Sequence, residues 1–306
     1  MTASRTAEQD LGALETEGID ARYSDLDARP VLGVLEAMND AEADVPRIVR
    51  GTLPALARLV EEVAARLEDG GRLLYVGAGT SGRLGVLDAA ECPPTFHVDP
   101  DLVQAVMAGG KEAVFAAVEG AEDSTELGAE AMTARAIGPR DTVVGIAASG
   151  RTPFVLGALA AAREAGALTA AVVCTSGSPV AAAAEHPLEV VVGPEVLTGS
   201  TRLKAGSATK QVLNMLSTAV MVRGGKTYGN LMVDVSVTNA KLRARAERLI
   251  RTITGADADV ARETLVASGD RVKVAVVMIE RSVDRAEAEA VLENHRHRLG
   301  DVLAPR

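Results

Sequence analysis

The sequence predicts an α/β fold: a three-layer αβα sandwich on a five-stranded parallel sheet, with helices before it and a small helical segment after it. Three observations carry this. Between residues 72 and 192, short apolar runs alternate with helical patterns, which is the rhythm of βα units. The runs are apolar almost throughout, as in Thr142-Val-Val-Gly-Ile-Ala147, the pattern of strands buried on both faces. Loops of Gly, Ser and Thr follow the first, third and fourth runs, where such sheets bind ligands.

In chain order, residues 1–29 are polar and irregular and end at Pro30. From Val31 to Leu67 apolar residues recur at helical spacing (Leu32, Leu35, Met38; then Leu56, Leu59, Val60, Val63), predicting two or three amphipathic helices, stopped at Asp69-Gly70-Gly71. Strands are expected at Arg72–Val76, Leu102–Met107, Asp141–Ala147, Leu168–Cys174 and Leu188–Val192. A short helix to Ala90 follows the first, cut short by Cys92-Pro93-Pro94, and a helix ending at Gly166 follows the third. Long helices are expected over Thr201–Val222 and Asn239–Thr254. A three-helix appendage follows over Ala258–Ser268, Val272–Arg281 and Arg285–Leu292. The expected division is an N-terminal arm and helix (1–50), a sheet domain (51–254) and a small helical domain (255–306).

Composition excludes several function classes. The 306 residues carry a formal net charge of -10, whereas a protein that grips phosphate backbones needs surplus Lys and Arg. No nucleic-acid partner is expected. Hydrophobic residues make up 47% and aromatic ones 2%, so the core is aliphatic and disorder is excluded. Two cysteines are too few for a disulfide framework or a zinc site, and His97, His186, His295 and His297 lack metal spacing. No apolar run reaches the roughly 20 residues of a membrane span, and the start lacks a signal-peptide pattern. The expectation is a cytoplasmic protein with no membrane partner.

The loops carry the chemistry. Gly77-Ala-Gly-Thr-Ser-Gly82 matches G-x-G-x-x-G between a strand and a helix. A dinucleotide site would want an acidic residue after the second strand, and Asp99 and Asp101 precede it instead. The reading preferred here is one phosphate gripped by several strand-end loops. Ser81, Ser149 and Thr152 offer hydroxyls, Gly79, Gly82 and Gly150 admit the anion to backbone amides, and helix N-termini add their positive ends. The plainer alternative makes these residues ordinary turn and cap residues. Arg202 and Lys204 read equally as neutralising a phosphate or a carboxylate of the ligand and as surface cations. Ser200 and Thr201 read equally as sugar ligands and as helix caps.

Tyr75-Val-Gly-Ala-Gly-Thr-Ser-Gly-Arg-Leu-Gly-Val-Leu-Asp-Ala-Ala-Glu-Cys-Pro-Pro-Thr-Phe96 resembles the signature of the N-acetylmuramic acid 6-phosphate etherases, lyases of the sugar-isomerase (SIS) fold. The resemblance continues through Gly145-Ile-Ala-Ala-Ser-Gly-Arg-Thr-Pro153, Glu195-Val-Leu-Thr-Gly-Ser-Thr-Arg-Leu-Lys-Ala-Gly206 and Gly229-Asn-Leu-Met-Val-Asp234. One departure is Asp20, where family members usually carry Asn. The resemblance implies cleavage of the lactyl ether of a sugar phosphate, with no metal or redox cofactor. It also implies a homodimer with the site near the subunit interface, and a C-terminal domain similar to ubiquitin-associated folds.

The family's two glutamates map onto Glu91, as the acid that protonates lactate, and Glu122, as the base at C2. Helix ends suggest the same division: Glu91 is expected to close a helix and Glu122 to open one. Substrate contacts are assigned to Gly79, Thr80, Ser81, Ser149, Gly150, Arg151, Thr152, Ser200 and Lys204. Cys92 is assigned to packing. The competing readings are a sugar-phosphate isomerase and a non-enzymatic sugar-phosphate sensor on the same fold.

Overall fold

In the computed structural model, which describes residues 15–304 except 117 and 119, five parallel strands run in the order β2-β1-β3-β4-β5. They are β1 (Leu73–Gly77), β2 (Val103–Met107), β3 (Thr142–Ala147), β4 (Leu168–Val173) and β5 (His186–Glu189). Every residue of β1, β3 and β4 is buried, as their unbroken apolar runs require. The fifth strand begins two residues earlier than the sequence suggests. Its register is set by β4, with Ala170 opposite His186 and Val173 opposite Glu189. An edge strand tolerates His186-Pro187 because only one side needs hydrogen-bond donors.

The chain packs as two compact units. The first takes the residues up to Ala89 together with Val103–Leu216; the second takes Ala90–Leu102 and the residues from Ser217 onward. The first unit holds the whole sheet. Two N-terminal helices are present, α1 (Val31–Glu42) and α2 (Val45–Glu68), preceded by three 3-10 turns from Glu15 to Ala28. The first 14 residues of the expected arm lie outside the described residues. The unit's core packs Leu74, Val76, Val143 and Val173 against Phe154, Val155 and Leu159. Those last three come from α5 (Pro153–Glu164), the crossover from β3 to β4.

Two corrections to the expected helices matter for the site. The helix α3 after β1 runs over Gly79–Phe96 with Pro93 and Pro94 inside it; it is not cut short at Cys92. Cys92 and Phe96, four residues apart and both buried, give the last turn a packed face, and His97 N–H still donates to Pro93 O at 2.9 Å. The long helix α7 covers Lys204–Arg223, so it starts three residues later than expected.

The second unit is larger than a three-helix appendage. A hairpin joins β6 (Thr227–Tyr228) to β7 (Leu231–Met232) across Gly229-Asn230, a tight-turn sequence that signals a two-residue hairpin. Helices α8 (Ala240–Thr254), α9 (Ala258–Ala267), α10 (Val272–Arg281), α11 (Arg285–Asn294) and α12 (Leu299–Leu303) follow. Val233, Val235, Ala246 and Ile250 share one core with Leu265, Val274, Leu292 and Val302, so residues on both sides of 254 pack together. A buried ammonium pins this core: Lys273 Nζ donates to Asp234 at 2.7 Å, His297 O at 3.0 Å and Gly225 O at 3.2 Å. Burial, opposed by Asp234, lowers the Lys273 pKa.

Candidate active site

The strand order carries the first functional fact. With β1 flanked by β2 on one side and β3 on the other, the order in which successive strands are added reverses between β1 and β3, and ligands of such sheets bind at the carboxyl ends beside that switch point. The loops leaving β1 and β3 are the Gly77–Gly82 and Ala148–Thr152 segments. They are neighbours because Gly77 stands opposite Ile146 in the parallel register.

Close backbone approach shapes both loops. A Cβ at Gly77 would sit 2.8 Å from the Gly82 amide nitrogen, so the strand end is pressed against the first turn of α3 and only glycine fits. Gly150 lies in the left-handed region (φ 66°), and a Cβ there would stand 2.2 Å from Ser178 Oγ and 3.2 Å from Thr175 Cγ2. The loop after β3 is therefore packed against the loop after β4. Thr80, Ser81, Ser149, Arg151 and Thr152 are all half-buried at this edge. Thr152 precedes Pro153 at the start of α5, yet its side chain makes no cap hydrogen bond. Its hydroxyl is not committed to the helix, unlike that of Ser178, which accepts from Ala181 N–H at 3.3 Å.

Ser200 and Thr201 do not cap α7, which begins at Lys204. That task falls to Glu195, whose carboxylate accepts the backbone N–H groups of Lys204 and Ala205, both at 3.0 Å. Burial pushes the Glu195 carboxyl up, against the opposing pull of those amides. Sequence reading missed this residue; its only signal is an acid set among Val190, Val192 and Val196 just before a helix. Lys204 is not a surface cation. It is buried, and its Nζ donates to Val192 O at 2.8 Å, which leaves two ammonium donors for other partners. Arg202 is exposed.

Of the two glutamates, Glu122 belongs to the first unit and Glu91 to the second, and both are exposed. Neither stands where the helix-end reasoning put it. Glu91 lies within α3, five residues before its end. Glu122 lies in a 3-10 turn, Ala121–Asp123, after Gly120 in the left-handed region; Ser124 then caps α4 (Thr125–Thr133) by accepting from Leu127 N–H at 3.1 Å. The division of roles by helix dipole thus loses its premise. What fixes the α3 segment before Glu91 is Asp88, buried and accepting from Tyr75 Oη at 2.8 Å and Asn214 Nδ2 at 2.6 Å.

The arm reaches this edge too. Asp20 caps its own turn and receives the Arg22 guanidinium on both oxygens, at 3.0 and 2.6 Å. Those hydrogen bonds lower its pKa, and the charge of Lys204 contributes at longer range. Both cysteines are buried, and burial pushes the Cys174 thiol up to about 12, far from a thiolate nucleophile. Among the described residues no group of three or more His, Cys, Asp and Glu is placed to hold a metal ion. No helix among them is long and apolar enough to cross a membrane.

Comparison with known proteins agrees with this architecture. Residues 55–163 match the model of the glucokinase regulatory protein N-terminal SIS domain, and residues 120–219 match the SIS domain. A protein of Streptomyces avermitilis named N-acetylmuramic acid 6-phosphate etherase is 48% identical over 99% of this chain and 98% of its own. Proteins of the same name from Cutibacterium acnes (52% identical, covering 90% of this chain and 91% of its own) and Rubrobacter xylanophilus (51%, covering 96% and 99%) match as extensively. With half of all positions identical over nearly the whole length of both partners, the chain belongs to the N-acetylmuramic acid 6-phosphate etherase family.

Proposed function

We propose that this protein is a carbon–oxygen lyase that cleaves the D-lactyl ether of N-acetylmuramic acid 6-phosphate, giving N-acetylglucosamine 6-phosphate and D-lactate in the recycling of cell-wall sugars. The near-full-length identity to relatives of that name carries the reading. The pairing of Gly- and Ser-containing loops at the β1/β3 switch point supports it as a phosphosugar site.

The chemistry suits two carboxyl groups. In the open-chain sugar the C2 proton is alpha to the aldehyde and the C3 ether oxygen is beta to it. Glu122 takes the C2 proton; the C3–O bond breaks, and Glu91 delivers a proton to the departing lactate oxygen. Water then adds across the C2–C3 double bond, its oxygen at C3 and a proton at C2. Each general acid or base step contributes on the order of 10²–10⁴-fold. Gly79, Thr80, Ser81, Ser149, Gly150, Arg151 and Thr152 hold the phosphate, with Ser200 and the free donors of Lys204 on the sugar or its anions. No metal or redox cofactor enters these steps.

The reading includes a homodimer in the cytoplasm. The exposed apolar side chains of Ile19, Val31, Leu32 and Leu35 support a partner surface near the arm and α1.

The test is incubation with N-acetylmuramic acid 6-phosphate in heavy-oxygen water. Release of D-lactate with the label at C3 of the product sugar is expected. Lactate carrying the label would place the cleavage on the other side of the ether oxygen. A phosphosugar bound but unchanged would make the protein a sensor, and an aldose–ketose exchange would make it an isomerase.

A further inference from the structure

The first described residue of the chain reaches the end of β4 through its carboxylate. Ser176 Oγ donates to Glu15 Oε1 at 2.6 Å, and the Thr175 hydroxyl donates to Glu15 Oε2. Each carboxylate oxygen has its own hydroxyl donor, and the Ser176 amide favours the ionised group as well. These hydrogen bonds, that of Ser176 foremost, hold the Glu15 carboxyl at about 2. The receiving side is built into the fold: Thr175 is 1% exposed and lies two residues past the end of β4. Two converging hydroxyls therefore make a carboxylate cradle, and the structure shows it holding one.

Its place gives the cradle a meaning. Thr175 belongs to the loop packed against Gly150, within the loop assigned to the phosphate. The substrate proposed above carries two anions, a phosphate at C6 and the lactyl carboxylate on the C3 ether. The phosphate loops account for the first. The second is the same chemical group as the Glu15 side chain, a planar carboxylate of single charge. Donors for it are found one strand along the same sheet edge.

We propose that Thr175 and Ser176 form the subsite for the lactyl carboxylate, and that substrate binds by displacing Glu15 from these two hydroxyls. The inference rests on the reaction proposed above. It makes the pair the specificity element for the ether, since the product sugar has a phosphate and no carboxylate. Once the ether is cleaved, the carboxylate leaves with lactate and Glu15 regains its donors, which opposes rebinding of lactate.

The test uses the full chain and three variants: Ser176→Ala at an exposed position, Thr175→Val with Ser176→Ala, and Glu15→Ala. Two constants are read, KM for N-acetylmuramic acid 6-phosphate and the inhibition constant of N-acetylglucosamine 6-phosphate, which lacks the lactyl group. Loss of hydroxyl donors to a charged group is expected to raise KM roughly tenfold in the double variant, and less in Ser176→Ala, with the inhibition constant within about twofold of wild type. Glu15→Ala is expected to lower KM and leave the inhibition constant alone. A joint rise of both constants would assign the hydroxyls to the phosphate or to the loop's shape, and an unchanged KM would remove the subsite; either overturns the proposal. Calorimetry of D-lactate and inorganic phosphate against wild type and Glu15→Ala separates this inference from the reaction itself. Tighter D-lactate with unchanged phosphate is expected even if the wild-type protein releases no lactate from the sugar. Tighter phosphate alone, or no change in either, overturns it.

Discussion

Tyr75, in the middle of β1, donates its hydroxyl to Asp88 on α3 at 2.8 Å, and both side chains are buried. The bond ties the helix that carries Glu91 to the central strand, one turn before the glutamate. Tyr75→Phe removes one donor from a buried carboxylate while keeping the ring's volume. A loss of about 1–3 kcal/mol is expected, read as a lower midpoint in urea unfolding. Lactate release should fall further than binding of N-acetylglucosamine 6-phosphate, because the change acts on the helix that positions Glu91.

The proposed roles of Glu91 and Glu122 separate in deuterated water. Glu91→Gln should still exchange the C2 proton of the substrate while lactate release drops by about 10²-fold or more. Glu122→Gln should lose exchange and release together. Exchange surviving in Glu122→Gln, and vanishing in Glu91→Gln, would reverse the assignment.

Gly150→Ala places a methyl group 2.2 Å from Ser178 Oγ at a left-handed φ of 66°. The backbone conformation alone costs about 1–2 kcal/mol, and relief of the contact must push the loop away from Thr175. A KM for the phosphosugar raised roughly tenfold is expected, with a thermal midpoint lowered by several degrees. The same change at Gly138, where a Cβ would meet nothing, serves as the control and should leave KM unaltered.

Asp141 makes stability pH-dependent. Burial works to raise its pKa, but hydrogen bonds from Arg72 Nε at 3.0 Å and Nη2 at 2.7 Å, with the Gly138 amide at 3.0 Å, outweigh it and leave the value below 3.8. A carboxylate lowered in the folded state stabilises above its unfolded value, and that contribution is lost as pH falls through the lower folded value. Urea unfolding of Asp141→Asn should therefore show less stability than wild type at pH 6, with the gap narrowing below about pH 4.

Lys273 anchors the second unit. Lys273→Met leaves the Gly225 and His297 carbonyls without this donor and Asp234 paired only with Lys226 among its ion-pair partners in the described residues, at 3.2 Å. Breaking a buried ion pair in this way costs about 3 kcal/mol. Protease cleavage within residues 217–304 should accelerate, while β1–β5 keep their protection in hydrogen exchange.

Local chemistry made much of this molecule legible. Unbroken apolar runs give buried strands, Gly70 and Gly255 stop helices, and the words around Gly77–Phe96 and Gly145–Pro153 point to one family, because periodicity, turn residues and motifs are all written over a few adjacent positions. The end of α3 was not legible in this way: Pro93-Pro94 is a local stop signal, and the burial of Cys92 and Phe96 overrides it. Nor was the capping of α7, where the nearby Ser200 and Thr201 are better cap residues by type than the buried Glu195 that does the work.

By itself the sequence determined the βα rhythm, the aliphatic core, the Gly- and Ser-containing loops at strand ends and the family. Only the tertiary structure decided that the loops after β1 and β3 lie side by side at a switch point, that Asp88 is held by Tyr75 and Asn214, and that Glu15 meets Thr175 across 160 residues. Strand order and such long-range pairs follow from how whole apolar faces are buried against one another, and no short stretch of chain encodes that choice.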